Sequence, residues 1–292
     1  MNLIDLVNKH ICNPTMIDKR ARLSHYPSEA SVYSRLDGTC IGKCHRAVSY
    51  KWLDTPSSNP IDARGMWTFA VGKMIEAGYV EYTKQIGIWV ANNLHIYDTL
   101  RNISGEVDLI VKDAKDLIGV EIKTAYGYGF QNSVLKFPKM ENLLQVGIYA
   151  DYFADTIKEW HLVYKARDTQ EEVEYIITMD KDEIGKFLVV NHTIPVKQFY
   201  IEDIYARFQA LGEIVCKKEL ARRDYVYGYS LDQSKERLKT GAISKTKLAK
   251  VEKGVVTDSD WNCLYCEYLD LCWSEKRKEF KMKQVTDAEE TV

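Results

Sequence analysis

The sequence predicts an α/β fold, in which a mixed central β-sheet is flanked by helices. Several short segments alternate apolar and polar residues with the period of a β-strand, most clearly within residues 105–126. Longer segments, at 66–87, 138–154 and 200–220, have the apolar spacing of helices. The resulting order is helix, strands, helix, strands, helix, which favours helices packed on a mixed sheet.

The composition is that of an ordinary globular chain. Its 292 residues are 46% hydrophobic and 28% charged, enough for one large domain or two modest ones. No apolar run approaches the roughly 20 residues that cross a bilayer, and the start lacks a signal-peptide pattern, so we expect a cytoplasmic protein. A net charge of −2 means that any nucleic-acid surface must be a local patch.

We expect four segments along the chain. Residues 1–65 read as a mainly helical N-terminal segment, and residues 66–200 hold the core strands and helices. Residues 201–280 form a helical segment that ends in a cysteine cluster. The polar, acidic residues 281–292 are expected to be a disordered tail.

The segment "GEVDLIVKDAKDLIGVEIKTAY" predicts a hairpin that turns at Asp113–Asp116. Its apolar face pairs three residues of the first strand with three of the second: Val111, Leu109 and Val107 with Ile118, Val120 and Ile122. The other face sets Asp108 opposite Glu121 and Glu106 opposite Lys123. Carboxylates directly across a ladder lie about 4.5–5.5 Å apart at Cβ and repel each other.

A divalent cation between Asp108 and Glu121 would turn this repulsion into coordination. Two carboxylates and the main-chain carbonyl of Ile122 suit a hard ion such as Mg²⁺ or Mn²⁺. Lys123 could orient an attacking water or neutralise a phosphate, which completes a set of groups for phosphodiester hydrolysis. The alternative is a solvated sheet face, with a Glu106–Lys123 ion pair and both acids exposed.

The strands "GEVDLIV" and "GVEIKTA" resemble the PD-(D/E)XK nuclease superfamily, in the form used by its RecB-like exonuclease branch. That branch carries a Q-x-x-x-Y helix downstream, matched here by Gln145 and Tyr149 in "NLLQVGIYADYF". The resemblance implies a restriction-endonuclease-like core at 66–200, with Gln145 and Tyr149 beside the active site. The alternative for this pair is an ordinary helix surface with a half-buried tyrosine.

Glu76, in "VGKMIEAGY", occupies the position where the resembling family has a metal-binding histidine. The resemblance implies that Glu76 helps to hold a metal. Because glutamate replaces histidine here, the number of bound metal ions, one or two, stays open. The alternative is that Glu76 lies on the polar side of an amphipathic helix.

Three of the seven cysteines follow the spacing C-x2-C-x5-C, at Cys263, Cys266 and Cys272. Three soft ligands within ten residues are typical of a Zn²⁺ or iron–sulfur site, and the fourth ligand must come from Cys40 or Cys44 if the site is all-cysteine. The alternatives are buried apolar cysteines, or Zn²⁺ held together with His45. We expect Cys12 and Cys216 to be ordinary thiols.

One N-terminal cysteine with a C-terminal C-x2-C-x5-C is similar to the iron–sulfur members of the same branch, which include the CRISPR-associated RecB-like exonucleases. This resemblance implies a [4Fe–4S] cluster that joins the N- and C-terminal segments. The stretch "GKCHRAVSYKWL" favours Cys44 over Cys40 as the fourth ligand.

The resemblance implies a DNA exonuclease that acts on single-stranded DNA or DNA ends, in recombination, repair, phage or CRISPR-related processing. It leans to 5′→3′ polarity, which the sequence itself leaves open. Aromatic side chains of the loop after Lys123 could stack on unpaired bases, at Tyr126, Tyr128 and Phe130. Basic side chains could contact phosphates, at 245–250, Arg222, Arg223, Lys136, Lys139 and Arg46. For each of these, packing under a loop or a solvated face is the alternative.

A second class of function stays open from the sequence. The chain could be a DNA-binding accessory subunit of a helicase–nuclease or integration complex, with the cysteine cluster as a structural metal site. A helicase or integrase partner and homo-oligomers are compatible with either function.

Overall fold

The computed structural model describes residues 3–12 and 23–278. The chain divides into two compact units, one of Met1–Lys43 with Ile61–Lys217 and one of Cys44–Pro60 with Lys218–Val292. The four segments expected from the sequence stay a prediction, and the expected tail 281–292 lies outside the described residues.

The bounds of the main elements are as follows. The helices are α1 Leu3–Ile11, α2 His45–Trp52, α3 Ala63–Gln85, α4 Met140–Tyr152, α5 Ile201–Cys216, α6 Leu231–Lys239, α7 Lys245–Glu252, α8 Trp261–Leu264 and α9 Leu269–Cys272. The strands are β1 Ser31–Tyr33, β2 Cys40–Gly42, β3 Trp89–Asp98, β4 Ile103–Asp113, β5 Asp116–Ala125, β6 Ile157–Ala166, β7 Glu172–Lys181, β8 Lys186–Val190 and β9 Ile194–Val196.

The first unit is built on a seven-stranded mixed sheet with the strand order β3-β4-β5-β6-β7-β8-β9. Strands β5 and β6 are parallel, and every other neighbouring pair in this sheet is antiparallel. A parallel pair needs a crossover connection, and α4 lies in the one between β5 and β6. The predicted α/β class with a mixed sheet is therefore confirmed. Across the described residues, no helix is both long and apolar enough to span a membrane.

Helix α4 is buried on all sides over Leu143–Ala150. It contributes Leu143, Leu144 and Ile148 to the larger hydrophobic cluster, in which Trp160 of β6 is completely buried. A helix whose residues are buried on every side occupies a core position. This burial fixes the helix that carries Gln145 and Tyr149 firmly against the sheet.

Helix α3 begins where Asp62 accepts a hydrogen bond from the Gly65 amide at 2.8 Å, an N-cap that a serine or aspartate commonly supplies. The helix predicted at 66–87 is thus confirmed. Ile75, Tyr79 and Val80 pack against a second, smaller cluster formed by apolar residues of β4, β5 and β6: Leu109, Val111, Val120, Ile122 and Val163.

The second unit joins α2 to the C-terminal helices. The carboxylate of Asp224 accepts the His45 amide at 2.7 Å, and the Arg46 guanidinium donates to the Ala221 carbonyl at 3.0 Å. A smaller cluster contains Tyr227, Cys263 and Leu269. The short segment 44–60 is therefore integrated into the C-terminal part of the chain.

Candidate metal centre and cysteine cluster

The predicted hairpin register is confirmed at its turn end. Pairing between β4 and β5 runs from Asp113↔Asp116 to Leu109↔Val120. At the next position the Asp108 carboxylate accepts the backbone N–H of Ile122 at 2.8 Å. A side chain thus takes the place of the ladder partner, and the hairpin opens at the two acids.

The predicted apolar face of the hairpin is wrong at one residue. Val107 belongs to the larger core cluster, whereas Leu109 and Val111 belong to the smaller cluster under α3. The change of face falls at Asp108, where β4 leaves its pairing with β5. Strict alternation fails there because the carboxylate replaces a backbone hydrogen bond.

Glu121 is a fully buried acid, with 0% of its surface exposed. The ammonium of Lys123 pairs with its Oε1, while Oε2 has no hydrogen-bond partner among the described residues. Leaving a buried charged oxygen unsatisfied costs about 1–3 kcal/mol or more. The alternative of two solvent-exposed acids on a polar sheet face is therefore wrong for Glu121.

The electrostatics of the site favour an added positive charge. Burial raises the pKa of the Glu121 carboxyl, and burial together with the charge of Glu121 raises the pKa of Asp108 to about 8. Burial opposes the charged form of Lys123, but Glu121 and Asp108 raise its pKa. The ammonium therefore stays charged while the two carboxyls compete for neutralisation.

Helix α3 brings Glu76 to the same region. Its side chain is 13% exposed and pairs with Lys73 at 2.9 Å. The negative charge of Glu76 also raises the pKa of Asp108 and of Glu121. The structure thus places Glu76 within electrostatic reach of Asp108 and Glu121. The alternative of a simple polar helix face explains its Lys73 contact equally well.

Asn93 is a site residue that the sequence analysis missed. With its amide oriented to donate, the nitrogen reaches Glu76 Oε1 and Glu106 Oε1, each at 3.1 Å. Its backbone has a φ of +49°, the left-handed region that asparagine tolerates better than most residues. Asn93 lies in β3 at the level of Asp108, between the pairs Asn92↔Leu109 and Leu94↔Val107. An asparagine inside a strand, where this residue type is depleted, was the available signal.

Gln145 and Tyr149 share one face of α4, as their spacing predicts, and both are buried. The Tyr149 hydroxyl donates to the Glu106 carbonyl at 2.9 Å, and Gln145 Nε2 donates to the Tyr149 oxygen at 3.3 Å. Burial and the charge of Glu121 raise the pKa of Tyr149, so the phenol remains a donor. The alternative of an ordinary helix surface is therefore wrong.

A hard divalent cation fits this donor set. Glu121 offers an oxygen without a protein partner, and Asp108 has a raised pKa that a cation would relieve. As the side chains stand, no three histidine, cysteine or carboxylate residues in the described ranges converge as a metal site. The fit therefore rests on two carboxylates and on the Ile122 carbonyl predicted beside them.

The second unit gathers four of the cysteines around one small cavity. Cys44 precedes α2, Cys263 lies in α8, Cys266 follows it and Cys272 ends α9, and all four line a cavity of about 20 Å³. Cys40 instead lies in β2, in the first unit. This volume holds about one water, so a four-iron cluster would require the thiols to move apart.

The four thiols also influence one another. Burial, with contributions from Cys44 and the other two cysteines, raises the pKa of Cys263 to about 12, and burial raises the pKa of Cys44 and Cys266. The Arg223 guanidinium donates to Cys272 Sγ at 3.2 Å. Four soft donors of this kind fit an iron–sulfur cluster or Zn²⁺ once they are deprotonated.

The aromatic loop is only partly available for stacking. Tyr126 and Tyr128 are 63% and 82% exposed, whereas Phe130 is 1% exposed and belongs to the larger core cluster. The prediction that Phe130 stacks on unpaired bases is therefore wrong. The π-helical turn Phe130–Val134 folds this ring under the loop.

Several of the predicted basic contacts are used inside the second unit. Arg46 donates to a backbone carbonyl, Arg223 to Cys272, and Lys247 pairs with Asp258 at 2.9 Å. Lysines 245 and 250 are exposed.

A scan against protein-family models gives no match, and a search of curated proteins gives none either. Among solved structures, the chain is similar to one described as "Crystal structure of SSO0001", with a TM-score of 0.46 and 15% sequence identity over 93% of this chain and 96% of that chain.

Proposed function

We propose that this protein is a metal-dependent deoxyribonuclease of the PD-(D/E)XK type, an exonuclease that acts on single-stranded DNA or DNA ends. The observation that carries the proposal is the fully buried Glu121, which has an unpartnered Oε2 beside Asp108 and a paired Lys123. Such an arrangement opposes folding, because uncompensated buried charge is expensive. Strained, under-satisfied groups cluster at functional sites.

Asp108 and Glu121 would hold one Mg²⁺ or Mn²⁺, together with the carbonyl of Ile122. Glu76 is the residue that would support a second ion or an ordered water, since its charge already acts on both acids. When bound, such an ion makes water a stronger nucleophile and stabilises negative charge on the phosphate.

Three further residues would neutralise charge on the substrate or hold Asp108 in position: Lys123, Tyr149 and Gln145. Lys123 keeps its proton next to Glu121, so its ammonium can stabilise charge that develops on a phosphate oxygen. Tyr149 holds the Glu106 carbonyl, and Gln145 holds Tyr149, which fixes β4 two residues before Asp108. This packing keeps Asp108 in place at the point where its strand leaves the ladder.

The test is digestion of end-labelled single-stranded DNA with Mg²⁺ or Mn²⁺. We expect Asp108→Asn and Lys123→Met to lose at least about 10²–10³-fold in rate, as enzymes do when one charge-stabilising group is removed. Asp113→Asn and Lys115→Gln, exposed residues of the same hairpin, are the matched controls. Stepwise release of nucleotides from one labelled end would identify an exonuclease and its polarity.

Equal rates in wild type, Asp108→Asn and Lys123→Met would refute the assignment. Tight DNA binding without hydrolysis under any metal would favour the accessory-subunit alternative.

We propose further that Cys44, Cys263, Cys266 and Cys272 hold a [4Fe–4S] cluster, with Zn²⁺ as the less favoured occupant. The shared cavity and the mutual effect of the thiols on the pKa of Cys263 support this ligand set. Anaerobically purified protein should be brown and contain iron and sulfide. Cys44→Ser should lose the colour, whereas Cys40→Ser and the exposed Cys216→Ser should retain it. A colourless, zinc-loaded protein would contradict the iron–sulfur assignment.

A further inference from the structure

Helices α6 and α7 form a strongly basic pair within a chain of nearly balanced charge. Residues 231–253 contain seven lysine or arginine residues and three acidic ones, while the whole chain carries −2. Ser230 and Ser244 cap the two helices by accepting the amides of Gln233 and Lys247. The pair is therefore a well-formed element rather than a flexible basic run.

The structure separates the basic side chains of this pair into two groups. Arg237 and Lys247 each pair at 2.9 Å with Asp258, which is 0% exposed. These two cations neutralise a buried acid and hold the helices to the segment that follows. The other group consists of exposed lysines: Lys235, Lys239, Lys245, Lys250 and Lys253. Pairing with the buried Asp258 does not account for these exposed lysines.

Lys250 lines an open surface cavity of about 610 Å³, a volume within the range of sites that bind small ligands. Besides Lys250, its polar lining consists of two cations that already pair with acids and four hydroxyl groups: Lys247, Arg277, Tyr227, Ser244, Thr246 and Thr257. The Thr257 hydroxyl is buried and has no hydrogen-bond partner among the described residues. Cations and hydroxyl donors together are the groups that bind phosphate oxygens.

The same cavity has an apolar part, formed by Val255, Val256 and Leu264. Helix α7 also begins here, and the N-terminus of a helix favours an anion. A ligand with an anionic group and a flat apolar group would use both parts of the lining. A nucleotide is such a ligand, with its phosphate at Lys250 and the neighbouring hydroxyl groups and its base against the apolar side chains.

We propose that this cavity of the second unit, beside α7, is a nucleotide-binding subsite for one unit of a single-stranded DNA chain. The inference rests on the proposed nuclease function, since it takes DNA as the substrate. Lys250 contacts the phosphate, Thr257 donates its unused hydroxyl, and Leu264 and the valines contact the base. The subsite adds affinity for the strand and performs no chemistry.

The experiment measures binding of a labelled single-stranded oligonucleotide to the full chain in EDTA, by fluorescence anisotropy at several salt concentrations. Lys250→Gln should weaken binding by several-fold to tenfold and reduce the salt slope by about 0.7, the value for one lost phosphate contact on a single strand. Lys253→Gln, an exposed lysine that does not line the cavity, is the matched control and should bind as wild type does. Thr257→Val should weaken binding by about two- to tenfold.

Competition distinguishes the possible sources of the anion. A deoxynucleoside monophosphate should displace the strand from wild type more effectively than inorganic phosphate does. Equal competition by the two would overturn the contribution of the base. Equal losses in Lys250→Gln and Lys253→Gln would also overturn the subsite, since they would indicate diffuse electrostatic attraction.

A hydrolysis assay separates this inference from the proposed function. If Lys250→Gln binds as wild type does while Asp108→Asn abolishes cleavage, the subsite is wrong and the nuclease stands. If Lys250→Gln loses binding but wild type degrades no DNA, the nuclease proposal fails and the binding site stands.

Discussion

Metal binding at Asp108 should depend strongly on pH. The pKa of this carboxyl is raised to about 8, so at pH 7 about 0.9 of the molecules carry its proton, and at pH 6 nearly all do. A metal ligand must be deprotonated, so binding must release that proton. We therefore expect the affinity for Mn²⁺ to rise about tenfold between pH 6 and 7 and to level off above about pH 8.

The assay is calorimetric titration of Mn²⁺ in two buffers with different ionisation heats, which gives the number of protons released. At pH 7 this number should be at least about 0.9 per ion, and higher when Glu121, whose pKa is also raised by burial, loses a proton. Asp113→Asn, at the exposed hairpin turn, should leave the Mn²⁺ affinity and the number of released protons unchanged. An affinity that does not vary between pH 6 and 8 would show that Asp108 is not a ligand.

The raised pKa of Asp108 also makes the stability of the metal-free protein depend on pH. The pKa of Asp108 is higher in the folded than in the unfolded chain, so its contribution is fully present below about pH 4 and is lost as the pH rises through 8. The total is on the order of 5 kcal/mol. Chemical denaturation in EDTA should show falling stability across this window, and Asp108→Asn should flatten the profile.

Two further substitutions test the packing around the site. Gly119→Ala places a Cβ about 2.4 Å from the Trp160 ring, so it should lower the free energy of unfolding by about 1–3 kcal/mol or more. Gly129→Ala is the control, because its added Cβ would meet nothing within 4 Å. Chemical denaturation should show little change for this control. Asn93→Asp replaces the amide that donates to Glu76 with a carboxylate. It should lower the free energy of unfolding by about 1–3 kcal/mol at pH 7, and by less at pH 5. A variant as stable as wild type at both pH 7 and pH 5 would contradict the hydrogen bond.

Local periodicity was sufficient to predict the hairpin, its turn and the shared face of Gln145 and Tyr149. Alternation of period two and the spacing of i and i+4 are properties of neighbouring residues, so they can be read directly. Val107 and Phe130 were misassigned because their burial depends on where β4 leaves β5 and on how a loop folds back. Neither event has a signature in the local pattern.

The resemblance implied that the N- and C-terminal cysteine segments join, but the bounds of the two units were beyond the reach of the sequence. Residues 44–60 join the C-terminal part of the chain through contacts such as Asp224 with His45, which are separated by most of the sequence. Asn93 was missed for a related reason. Its role depends on carboxylates that come from α3 and β4, and only the folded sheet brings these together.

Within residues 3–12 and 23–278, two acids are fully buried, and they differ in how cations pair with them. Asp258 and Glu121 are both 0% exposed. Asp258 pairs with Arg237 through Oδ2 at 2.9 Å, and the Lys247 ammonium lies 2.9 Å from its Oδ1, so a cation faces each oxygen. Among the described residues Oδ1, like Glu121 Oε2, has no hydrogen-bond partner. Glu121 pairs with Lys123 alone and leaves Oε2 without a hydrogen-bond partner, next to another carboxylate. A cation therefore faces both oxygens of Asp258 but only one oxygen of Glu121. This unequal pairing indicates Glu121 as the position where an added cation would stabilise the fold.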